Sequence, residues 1–124
     1  MKNFLSILIS LLLILGAAFF ETAYLDHQFE EFEEVLEILY EKTELGIATE
    51  DDEKAVQAVW EEKKKTLHIL IPHTSISSID AWLSEARGYL HEGNLKEVLP
   101  KVEVLLNLCE TIPASYQFLL QNIL

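Results

Sequence analysis

The sequence has little of what marks an enzyme, a metal site or a disulfide scaffold. Its 124 residues include one cysteine, Cys109, four glycines and three prolines. One cysteine forms no internal disulfide, and no Cys/His array with zinc spacing accompanies it. So few glycines and prolines argue against a collagenous, linker-like or turn-rich all-β chain. Bases are also scarce: nine Lys and Arg stand against 21 Asp and Glu, a formal net charge of −12. Nucleic-acid binding needs Lys and Arg to displace counterions from phosphates, so no nucleic acid is expected as a partner. There is no sustained apolar/polar alternation, no hairpin dipeptide between apolar runs and no convincing repeat. A phosphate-binding glycine loop, a G-x-S-x-G elbow and an EF-hand loop are all missing. The expectation is a non-enzyme with no resident cofactor or metal. Half the residues are hydrophobic, which opposes general disorder, and the length suits one small domain.

What the chain does have is segregated charge. Residues 1–20 carry only Lys2, while residues 21–53 carry thirteen acids against Lys42. From Lys54 onward the signs nearly balance. The acidic stretch reads either as a solvated helix face or as a docking surface for a basic partner or cations. Glu30, Glu33, Glu34 and Glu37 are its candidate interaction residues.

Phe4 to Phe20 is a 17-residue run without charge, broken only by Ser6, Ser10 and Gly16 among large side chains and alanines. As a helix it reaches about 25 Å, just short of a ~30 Å hydrocarbon core. Its Leu, Ile and Phe side chains favour insertion by roughly 4–7 kcal/mol. Membrane lipid is therefore the expected surrounding of residues 4–20. Two export readings compete. In the first the run stays as an uncleaved signal anchor, with residues 1–23 as membrane segment and 24–124 as the outer domain. In the second, Phe4–Leu15 is the core of a signal peptide cleaved near Ala18, in Gly16-Ala17-Ala18, and the rest is secreted. Phe19-Phe20 prolongs the run past that site and Lys2 is its only preceding charge, which favours the anchor. No lipobox cysteine lies near residue 20. Lys2 before the run, with acids after it, predicts a single-pass protein in the cell membrane, N-terminus cytoplasmic and C-terminal domain extracytoplasmic.

The remainder predicts helices. Leu25, Phe29, Phe32, Leu36 and Leu39 recur at heptad-like spacing. No glycine or proline separates them from the apolar run, so span and first outer helix are expected to be continuous, as a stalk. Gly46 suits its C-terminal cap. A second helix starts at Thr49, with Asp52 as a capping partner, buries Val56, Val59, Trp60, Leu67 and Leu70, and stops at Pro72. Glu61 is expected to pair with Lys65. Ser77 and Asp80 read as the cap of a third helix with Ile76, Ile79, Leu83, Ala86 and Leu90 inside. Asn94 precedes a fourth, with Leu95, Val98, Leu99, Val102, Leu105, Leu106, Cys109 and Ile112 on its buried face. Pro100 either kinks that helix or marks its start. Pro113 kinks or restarts the chain into Ser115–Leu124, with Tyr116, Leu119, Leu120 and Ile123 on one side. Short connections favour antiparallel neighbours. The fold class is therefore all-α: an N-terminal transmembrane helix followed by an antiparallel up-and-down bundle of about four helices. The stripe Leu25–Leu39 fits packing within that bundle or pairing with a second copy.

Candidate chemistry is thin. His68 and His73 flank Pro72 and lack the H-x-x-x-H spacing of helical metal ligands. His73 reads as a turn residue or as a ligand beside nearby acids, and His27 and His91 as solvated and capping residues. Cys109 reads as a small buried hydrophobe. Trp60 and Trp82 read as core or as an aromatic interaction patch, and Trp60 with Lys63, Lys64 and Lys65 is a candidate interaction surface.

Nearly the whole chain resembles a bacterial family known as domain of unknown function 4363. The resemblance rests on a short N-terminal span before about 100 helical residues. Locally it rests on Trp60, Lys63-Lys64-Lys65, Leu67, Ile71-Pro72-His73 and the closing Asn122-Ile123-Leu124. It implies a small exported or membrane-anchored protein in an accessory role, beside a multi-span membrane protein of the YetF type. It implies no catalytic residue. The function expected is a non-enzymatic, membrane-anchored bundle that binds a partner membrane protein. The alternative is an exported bundle that binds a small ligand or metal.

Overall fold

A computed structural model describes residues 2–123, with the side chains of Lys2, Leu120 and Ile123 outside the description. The expected flanking role of Lys2 and the apolar positions Leu120 and Ile123 thus lie outside the described residues. Four helices follow one another: α1 (Lys2–Glu44), α2 (Glu50–Leu70), α3 (His73–His91) and α4 (Leu95–Ile123). Each packs against its neighbours in sequence and α1 closes the ring against α4. This is the expected up-and-down bundle.

α1 has 43 residues and crosses the span/domain boundary without a break. At 1.5 Å per residue it is about 65 Å long. It is the one described helix long and apolar enough to cross a membrane, and none of its apolar window is buried. Its second half carries the heptad stripe: Leu25, Phe29, Phe32, Leu36 and Leu39 are all buried in the core. That burial leaves the stripe unavailable to a second copy. Nor does α1 stand free as a stalk, because α4 packs along it down to Glu21, where the Tyr116 hydroxyl donates a 2.8 Å hydrogen bond.

The turns follow local chemistry. Gly46 has φ +73°, the left-handed conformation that lets the carbonyls of Lys42 and Thr43 receive the chain as it leaves α1. At the head of α2, Asp52 accepts hydrogen bonds from the Thr49 N–H (2.8 Å) and hydroxyl (3.1 Å). Lys42 adds a 2.7 Å ion pair. The Lys42 and Thr49 contacts hold the Asp52 carboxyl below its ordinary range. Pro72 forces Ile71 into extended backbone and ends α2, as expected.

Three expectations need correction. α3 starts at His73, not at Ser77, because Pro72 itself is the N-cap and its carbonyl receives the N–H groups of Ser75 and Ile76. Asp80, freed from capping, points at α2 instead. α4 is one helix through both Pro100 and Pro113, so Ser115 starts nothing new. Each proline removes an i→i−4 hydrogen bond without ending the helix; Pro100 is exposed and Pro113 is buried. Glu61 pairs with Lys64 at 3.6 Å, not with Lys65.

Candidate functional site

The α1–α4 seam collects the acids. Along α1, Asp26, Glu30, Glu33, Glu37 and Tyr40 recur on the flank facing α4, offset by one position from the buried stripe. Gln117 of α4 donates a 2.8 Å hydrogen bond to Asp26 and Tyr40 donates one of 2.9 Å to Glu103. Glu110 lies between these contacts, so α4 brings more negative charge to an already acidic flank. Partial burial, then the charges of Glu37, Glu110 and Glu30, push the Glu33 carboxyl above its ordinary range. Among the described residues no base pairs with Glu30, Glu33, Glu37, Glu103 or Glu110. A shallow depression of about 260 Å³ runs along the seam, floored by Phe29, Cys109 and Pro113. The Cys109 thiol is buried there, and burial, helped by Glu33 and Glu110, raises its pKa far above neutrality.

The other candidates fare differently. Glu34 faces solvent away from this seam. Trp60 is 0% exposed, so it is removed from the interaction surface. Its ring meets Phe32 edge-on at 5.0 Å and its indole N–H donates to Asp80 at 2.7 Å. An indole in the centre of a bundle needs such a partner. Lys63 is tied to Glu31 of α1, which also holds His27 at 2.9 Å. Lys64 reaches Asp80 of α3 at 3.2 Å. Two of the three lysines thus brace α2 against its neighbours, and Lys65 is left exposed. His73 is exposed, with its ring 3.4 Å from the Ser77 hydroxyl. The structure does not bring it to the acids: among the described residues no three His, Cys, Asp or Glu side chains gather as metal ligands.

Sequence reasoning missed one polar site. At the end of the bundle far from the apolar run, Glu50, Glu53, Lys54, Arg87 and His91 line a pocket of about 350 Å³. The Glu53 side chain is only 4% exposed and meets Arg87 Nε at 3.2 Å. Arg87 also donates to Gln57 at 2.8 Å, and His91 pairs with Glu50. Spacing held the signal: Glu53 lies three residues before Val56 and seven before Trp60, on the core stripe of α2.

No curated protein and no solved structure matches the chain. The profile of the family described as Domain of unknown function (DUF4363) matches residues 19–123, the whole bundle without most of the apolar run. Over that length the chain belongs to the DUF4363 family.

Proposed function

We propose that this is a non-enzymatic accessory protein, anchored by its N-terminal helix, whose bundle binds another membrane protein through the α1–α4 acid seam. The observation that carries the reading is the unneutralised charge of that seam. Glu30, Glu33 and Glu37 crowd Glu110, and burial, then this repulsion, raises the Glu33 pKa. Folding gains nothing from such crowding, whereas a basic partner surface relieves it. The resemblance drawn from the sequence suggests a multi-span protein of the YetF type as that partner. In this reading the N-terminus is cytoplasmic and the bundle extracytoplasmic, with Lys2 inside and the acids of residues 21–53 outside.

The test is photo-crosslinking in intact membranes. A crosslinker replacing Glu110, exposed on the seam, is expected to capture one discrete membrane protein, and a crosslinker at Asp51 is not. Reversing Glu30, Glu33 and Glu37 to lysine is expected to abolish capture. Capture that survives charge reversal refutes the seam as the binding surface. The mass of the extracted chain reports on the same sample whether cleavage near Ala18 occurs, and a reporter fused after Leu124 reads the orientation.

A further inference from the structure

We propose that the lower end of the bundle is itself inserted in the bilayer interface, through the end of α4 and the α2–α3 turn, rather than carried above it by α1. The inference rests on the membrane-anchored reading of α1.

Two hydrogen bonds fix the level of each element against α1. Tyr116 of α4 meets Glu21, the first charged residue after the apolar run. Tyr24, one turn further along α1, meets Thr66 of α2 at 3.2 Å. α4 runs antiparallel to α1, so below Tyr116 it descends beside residues that the run assigns to lipid. Its remaining seven residues reach about 10 Å down. Gln121 accordingly shares a groove with Leu12, Leu15, Gly16 and Phe19 of α1.

The composition of this segment fits that depth. Residues 111–124 contain no charged side chain. Phe118 and Leu119 are 64% and 58% exposed, at the height of the exposed Phe19 and Phe20 of α1. α2 descends past Thr66 in the same way and presents Ile69, 77% exposed, at the turn. Lys65, one helical turn above Ile69 on the same face, has no ion-pair partner among the described residues and lies at headgroup height. Tyr24 and Tyr116 occupy the boundary, where amphipathic rings collect. An apolar rim with tyrosines and a lysine just above it matches a helix end buried 5–10 Å into the headgroup/acyl boundary.

The experiment uses the full chain in vesicles of phosphatidylcholine and phosphatidylglycerol, with bromine near the headgroup end of the acyl chains as quencher. Trp60 and Trp82 of the unaltered protein give the baseline. Phe19→Trp reports the span, Phe118→Trp the rim and Leu45→Trp the far end of the bundle. All three keep a large apolar side chain at an exposed site, and helical circular dichroism checks the fold. The expected result is strong quenching at positions 19 and 118 and none at 45. Quenching at 19 without quenching at 118 overturns this proposal and leaves the anchored reading standing. It is the outcome expected where a partner helix or a second copy covers the rim. Absence of quenching at both 19 and 118 overturns the anchored reading, and this proposal with it.

Discussion

The indole N–H of Trp60 and the carboxylate of Asp80, twenty residues apart, meet at 2.7 Å across the α2–α3 interface, with Lys64 on the same carboxylate. One acid thus satisfies the central aromatic ring and a flanking ammonium. Trp60→Ala is expected to cost about 3–5 kcal/mol, as for other buried aromatics. Asp80→Ala is expected to cost about 1–3 kcal/mol, since it strands the indole N–H of a fully buried ring. Denaturant unfolding followed by helical circular dichroism checks both, and equal costs would refute this division of roles.

Glu53 is a buried acid whose counter-charge is the half-exposed Arg87. Removing Arg87 strands the carboxylate. Arg87→Ala is therefore expected to destabilise by about 1–3 kcal/mol, the range for an unsatisfied buried polar group. Glu53→Gln in the same chain is expected to recover much of that loss. A double variant as weak as the single one contradicts the charge argument.

Seam repulsion predicts an unusual pH response. The Glu33 carboxyl titrates above its ordinary 4.5 because of partial burial and then its acidic neighbours. A folded-state pKa above the unfolded one means that the folded chain binds protons more tightly. Stability carried by this group is then greatest below the unfolded pKa and falls as pH rises through the folded one. Glu33→Gln is accordingly expected to raise Tm at pH 7 and to lose that advantage near pH 4. Thermal unfolding at the two pH values tests this, and an advantage that grows on acidification would contradict it.

Cys109 combines burial with a raised pKa, so its thiolate is suppressed at neutral pH. A thiol reagent is expected to leave the folded protein unmodified for as long as the bundle stays closed, and to label one site on unfolding. Fast labelling of the native chain would show that the seam opens.

Much of this was legible in the residues. The stripe Leu25–Leu39, the stop at Pro72 and the Gly46 cap follow from local chemistry that tertiary contacts reinforce. Where local signals and packing compete, spacing misleads. Ser77 and Asp80 have the separation of a capping pair, yet Asp80 serves Trp60 from a neighbouring helix. Pro113 looks like a break, but α4 runs through it with the residue buried. The added acids of the seam, Glu103 and Glu110, lie about seventy residues beyond Glu33 and Glu37, and only the closing of the ring by α4 reveals their company. The Glu53–Arg87 pair likewise depends on two helices meeting.

Between Ala17 and Leu45, α1 contains neither glycine nor proline. Such a rod has no swivel, so angular position is conserved along it. Phe19 and Ala23 lie on the same bearing as Asp26, Glu30 and Glu33. In the anchored chain, turning the intramembrane half by one residue step, about 100°, would sweep the row of carboxylates through the same arc. Whatever grips the apolar half thereby sets the compass heading of the charge above it.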